Sequence, residues 1–380
     1  MPELDSVRGV AVLLVLFFHS FGFQYGTKNL SGVAKILVAA TLPGWTGVNL
    51  FFVLSGFLIT GILIDSRNEP DYYRTFYIRR ALRILPIYYV LLVVLFVLPR
   101  IGLIDRHVSL GFLGLSFIYL SNVVNLFGVP VQYATLWSLS IEEHFYLVWP
   151  AVVRTFSSRN VGICASAIFL LCPALRALVY EMGYESGPYT WLLADGLATG
   201  ALLAVLLRRP SFTRTTMRRC SALCAIAATL MFVLGYPFGI LHPVTLVGVS
   251  LRETALNVMY AGILGAVLLL GTSQMKWLVR WPALRFFGSI SYGLYLYQRL
   301  IFDVVDHFAL RYAPHVALAI KGNFGLMVLR FLVGGGFAIT FAFLSRKYFE
   351  SRFIQMKNRW ATAKRAPIVN LEASARPQSA

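Results

Sequence analysis

Eleven apolar stretches long enough to be weighed as membrane spans follow one another along this chain. They lie near 7–25, 45–64, 84–98, 109–127, 134–153, 161–179, 189–207, 220–240, 254–271, 285–305 and 324–345. A bilayer's hydrocarbon core takes about 20 apolar residues of helix, so the pattern predicts an all-α, polytopic integral membrane protein with no room for a large soluble domain. Composition agrees, at 58% hydrophobic and 13% charged over 380 residues.

Charge then sets the expected topology. A net charge of +18 would suit nucleic acid, but Lys and Arg cluster in short connections between the apolar stretches instead of along one amphipathic surface. The expected partner is therefore the lipid bilayer, with no nucleic acid. The connection 65–83 holds Arg67, Arg74, Arg79, Arg80 and Arg83, and the connection 208–219 holds Arg208, Arg209, Arg214, Arg218 and Arg219. A third basic group, Arg346, Lys347, Arg352, Lys357, Arg359, Lys364 and Arg365, lies near the C-terminal end. The positive-inside rule puts all three on the cytoplasmic side.

Two basic connections on one side require an even number of crossings between them, yet five apolar stretches lie in that interval. The stretch 109–127, with Ser109, Ser116, Ser121, Asn122 and Asn125 spread along it, is the one expected not to cross. We read it as interfacial or re-entrant and expect it to border the active cavity, because irregular backbone at membrane depth needs protein or a water-filled space around it. About ten transmembrane helices remain, with both termini cytoplasmic. Only seven residues precede Arg8, with no basic leader among them, so the first span reads as a retained signal anchor. Residues 1–354 form the expected membrane domain and 355–380 a basic, disordered tail. The cysteines, Cys164, Cys172, Cys220 and Cys224, show no metal-ligand spacing, so free thiols are expected, with no structural disulfide and no metal.

Ionisable groups inside apolar spans are costly and mark function by default. Arg8 and His19 flank the stretch GVAVLLVLFF. Eleven helical positions make about three turns, which brings both side chains to nearly one face, roughly 16 Å apart along the axis. Two readings stand on spacing alone: an active pair, or an arginine snorkelling to headgroups beside a histidine bonded to a neighbouring helix. Further on, TLWSLSIEEHFYLVWP sets Glu142, Glu143 and His144 side by side. Adjacent carboxylates diverge by about 100° on a helix, so at most one is expected to face a given cavity wall squarely. Pairing with basic loops is the alternative role for these glutamates. Arg80 and Arg83, three residues apart, present two guanidinium forks suited to phosphate, although positive-inside anchoring explains them equally. Gly44, Gly47, Gly56, Gly61 and Ser55 permit close helix contact or close ligand approach in the second span.

Taken in order, LDSVRG with the following His19, GVNLFFVLSGFLIT, RRALRILPIYY, WSLSIEEHFYLVWP, ADGLATGALLA and GSISYGLYLYQ resemble acyltransferase family 3, the bacterial membrane O-acyltransferases of the O-antigen and exopolysaccharide type. The resemblance covers residues 4 to about 354. It implies transfer of an acyl group, usually acetyl from acetyl-CoA, to a hydroxyl of a surface or exported glycan, lipopolysaccharide among them, at the bacterial inner membrane. Acyl-CoA is then a co-substrate, with no permanently bound cofactor, and the other partner is a glycan or glycolipid acceptor. By the same resemblance His19 matches the catalytic histidine, Arg8 its paired arginine, and Arg80 and Arg83 the pair near the CoA phosphates. Glu142 matches the acidic position, and Trp137, Ser138, Tyr146, Ser55 and Asp195 are supporting residues. Two positions depart from the pattern: Asn49 stands where many relatives carry Asp, and Gln298 where relatives often carry His.

Acyl transfer from a thioester to an alcohol needs a base, and a neutral imidazole supplies one near neutral pH. Glu142 is expected to orient that imidazole. The rival classes are a proton-coupled transporter or flippase of an anionic solute, with His19 and Glu142 as the proton relay, and a non-catalytic scaffold. An antibiotic or other secondary metabolite is the alternative acceptor.

Overall fold

The computed structural model describes residues 1–360, with side chains to Met356. Its main helices are α1 (Pro2–Tyr25), α2 (Gly32–Asp65), α3 (Tyr72–Arg100), α4 (Leu110–Phe117), α5 (Leu136–Thr155), α6 (Ser158–Glu181), α7 (Asp195–Leu206), α8 (Arg214–Phe238), α9 (Leu246–Gly271), α10 (Pro282–Tyr312) and α11 (Phe324–Met356). No strand occurs among the described residues. Seven of these helices, α1, α2, α3, α6, α8, α9 and α11, are long and apolar enough to cross a membrane. Helices α5, α7 and α10 run among them; α7 has 12 residues, and α5 and α10 carry the ionisable groups that lower their apolarity. All-helical spans follow from the solvent: lipid offers no hydrogen bonds, so each backbone must satisfy its own.

Small residues let the helices meet at backbone distance. A Cβ at Gly56 would overlap the Leu197 carbonyl, and one at Gly200 the Val53 carbonyl, so α2 and α7 press together through reciprocal glycines. Ion pairs tie the ends. Arg208 clasps Asp65 with two 2.6 Å bonds, and Arg280 bonds Glu3 at 3.1 Å. The first of these puts the basic connections that follow α2 and α7 at one end of the bundle, as crossing parity requires.

The stretch 109–127 does not cross. It contains α4, whose eight residues rise about 12 Å, and a 3-10 turn at Val124–Phe127. None of its residues lines either of the two cavities described below, against the expectation that it would border the active one. Some of its polar groups pair with packed neighbours, Ser121 sharing a 2.7 Å bond with Ser140 and Asn122 Nδ2 donating to Thr190 at 3.0 Å, while Ser116 Oγ, the Tyr119 hydroxyl and Asn122 Oδ1 are buried without a partner. The final helix runs on to Trp360, past the expected start of the tail at 355. The remainder of that tail, including 366–380, lies outside the described residues.

Candidate active site

α1 changes pitch where its chemistry begins. Residues Phe18–Gly22 form a π turn, an insertion common at functional sites because it re-aims side chains within a helix. His19 sits in that turn, half-buried against the edge of Phe23. Its Nδ1 is buried and has no hydrogen-bond partner. The ring lines a cavity of about 460 Å³ with Phe23, Trp45, Asn49, Trp137 and Glu253. We call this the outer cavity.

The arginines line a second, inner cavity of about 90 Å³. Arg8 reaches it from α1, steadied by a 2.7 Å bond to Asp5. Arg80 and Arg83 reach it from α3, and the Arg80 guanidinium stands 5.3 Å from the centre of the Tyr146 ring. Glu142 lies in the same cavity, accepting a 2.8 Å bond from the Tyr146 hydroxyl and a 3.2 Å bond from Ser55 Oγ. Glu143 lines it too, so both adjacent carboxylates face one space, against the expectation from helix geometry. Ser138 belongs to this cavity as well.

The residues expected to form one site thus divide between two cavities. Glu142 lines the cavity of Arg8, Arg80 and Arg83 with Ser55 and Tyr146 as its partners, whereas His19 lines the other, against the expectation that Glu142 orients the imidazole. Arg8 and His19 do share a helix, yet they open into different cavities. Trp137 lines the outer one. Asp195 lines neither: it is fully buried, paired with Arg176 at 3.0 Å and accepting from Thr254 at 2.7 Å. Arg176 itself floors the outer cavity and also donates to the carbonyls of Ser250 and Leu192.

Trp45, Arg176, Arg252, Glu253 and Arg299 line the outer cavity without having been singled out in the sequence, and Asn49 was noted there only as a departure from the family pattern. Asn49 Nδ2 donates to Glu253 at 2.9 Å and to Asn257 at 3.0 Å, while Arg252 pairs with Glu253 at 3.1 Å and lies 4.7 Å from the Trp45 ring centre. The available signal was charge inside apolar sequence, at Arg176 in CASAIFLLCPALRALVY and at Arg252 and Glu253 beside the ninth stretch.

The site is thus a pair of adjoining cavities inside an all-helical membrane protein, one holding Arg8, Arg80 and Arg83 and the other an imidazole with an unpartnered ring nitrogen. The acyltransferase-domain model of acyltransferase family 3 matches residues 1–347, and the chain belongs to that family. It is 29% identical over 333 residues to the peptidoglycan O-acetyltransferase OatA of Listeria monocytogenes, covering 78% of this chain and 49% of that protein. Against the putative peptidoglycan O-acetyltransferase YrhL of Bacillus subtilis identity is 31% over 332 residues, covering 78% and 48%. A putative O-acetyltransferase of Staphylococcus aureus, SAS0844, is 28% identical over 227 residues, covering 54% and 35%. The chain thus spans about half the length, or less, of these curated relatives. No solved structure matches it.

Proposed function

We propose that this protein moves an acyl group, acetyl in the first instance, from acyl-CoA in the inner cavity to a hydroxyl of a glycan in the outer one. The observation that carries the reading is the placement of His19, with a free ring nitrogen, in one cavity, and of Arg8, Arg80 and Arg83 from the basic end of the bundle in the adjoining one; Arg176, Arg252 and Arg299 line the His19 cavity, where Arg176 and Arg252 are paired with Asp195 and Glu253. In this reading the basic end of the bundle faces the cytoplasm of a bacterial inner membrane, where acyl-CoA is made. Arg8, Arg80 and Arg83 hold donor phosphates, with guanidinium forks matched to phosphate oxygens.

His19 takes the proton from the acceptor hydroxyl as its oxygen attacks the thioester carbonyl carbon. The tetrahedral intermediate then breaks its C–S bond, leaving an ester on the acceptor, and the departing thiolate receives the proton from His19. Glu142 acts on the donor side by fixing Tyr146, over whose ring Arg80 rests. The names of the relatives favour peptidoglycan as acceptor over O-antigen, exopolysaccharide or an antibiotic, and the aromatic walls at Trp45 and Trp137 suit a sugar ring.

Purified full-length protein in proteoliposomes, given labelled acetyl-CoA and solubilised peptidoglycan, should release CoA and place label on the glycan as base-labile ester. Solute flux without CoA release would favour a transporter instead, a reading that back-to-back cavities also accommodate.

A further inference from the structure

Two residues line both cavities: Val48 on α2 and Tyr295 on α10. They stand where the inner space gives way to the outer one. Tyr295 is held on two sides. Its hydroxyl lies 2.5 Å from Ser138 Oγ on α5, and its ring meets Phe51 edge-on with centroids 6.0 Å apart. Val48 is half-buried and β-branched, so in a helix its side chain keeps one strongly preferred rotamer. A fixed ring and a stiff branched side chain form a partition that does not yield readily.

Resting on the reading that the arginines hold the donor and His19 serves the transfer, we propose that Val48 and Tyr295 form a septum that selects acyl groups by cross-section. The thioester enters from the arginine side and leads with its acyl tail. A straight alkyl tail presents the width of one methylene, and the thioester carbonyl behind it is planar and can pass edge-on. A branch adds a methyl group at the side, which must pass between Val48 and a ring pinned by Ser138. Beyond the septum lies the larger space, about 460 Å³ against about 90 Å³ on the arginine side, so a chain that has passed finds room for its length.

Butyryl-CoA and isobutyryl-CoA test this directly, because they carry the same atoms in straight and branched form. With full-length protein in proteoliposomes and solubilised peptidoglycan as acceptor, acceptor-dependent CoA release gives the isobutyryl-to-butyryl rate ratio. Val48→Ala should raise that ratio at least about tenfold, the scale on which one methyl group discriminates in an apolar site. Tyr295→Phe keeps the ring but removes the tether, and should shift the ratio in the same direction by less. Val48→Phe should suppress transfer of every acyl group while acetyl-CoA still binds, which separates a closed septum from a misfolded protein. The proposal is overturned if Val48→Ala and Tyr295→Phe still transfer acyl groups with an unchanged ratio, or if Val48→Phe transfers at the wild-type rate. Wild-type protein that moves no acyl group from any thioester would instead overturn the two-cavity reading, and the septum with it.

Discussion

Tyr146 donates a 2.8 Å hydrogen bond to Glu142, one turn earlier on the same helix, and so holds that carboxylate in the cavity that Arg8, Arg80 and Arg83 line. Ser55 bonds the other carboxylate oxygen at 3.2 Å. The expected consequence is that loss of the Glu142 charge acts through the donor. Glu142→Gln should lower turnover by more than about tenfold, about 1.4 kcal/mol of transition-state stabilisation, and should raise KM for acyl-CoA. Glu143→Gln should cost less, because Glu143 has no comparable pair of hydroxyl donors. Steady-state kinetics at matched expression decide the order; an inactive Glu143→Gln beside an active Glu142→Gln would reverse the assignment.

His19→Gln removes the base and leaves the inner cavity untouched. Acyl transfer should fall at least about a hundredfold, the lower end of what a positioned base contributes, while equilibrium binding of acetyl-CoA stays at the wild-type level. Near wild-type transfer by the purified variant would remove His19 from the chemistry.

Arg80 and Arg83 should show the opposite pattern. Replacing both with Gln should weaken acyl-CoA binding at least about tenfold, as expected when charge-assisted bonds to phosphate are lost, with a smaller effect on acceptor affinity. Unchanged binding by calorimetry would return both residues to topological anchoring.

The ion pair of Arg176 with Asp195 is a structural element beneath the outer cavity, at 2% and 0% side-chain exposure. Asp195→Asn strands a buried guanidinium and should destabilise the fold by about 3–5 kcal/mol, seen as a lowered Tm in detergent. Adding Arg176→Gln should recover part of the loss. A Tm unaffected by the single change would show that the remaining bonds of Arg176 suffice.

Much of this was legible in the sequence, and the failures have physical causes. The apolar stretches and basic connections pointed to the helical class, parity required that one of five stretches not cross, and the Ser and Asn residues of 109–127 picked out which, because lipid constrains length, charge and polarity strongly. What packs beside that stretch was not legible: Ser121 and Asn122 found partners in Ser140 and Thr190, far away in the chain or on another helix. The residues singled out in the sequence were read as one site, whereas the structure divides them between two cavities, with Asp195 in neither. Arg8 and His19 look like one site on a helical wheel; only the convergence of α2, α5 and α10 shows that Val48 and Tyr295 stand between two spaces. Tyr295 itself is one tyrosine among several in an apolar run, and nothing local marks it.

The most direct test of the central claim is vectorial transfer. Vesicles carrying the full-length protein in a single orientation, with peptidoglycan enclosed or outside, can be given labelled acetyl-CoA on one face only. The two-cavity account predicts labelled glycan when acetyl-CoA is supplied at the basic face and the acceptor at the opposite face, and none when the two are exchanged. Labelling that requires both substrates on the same face would contradict it.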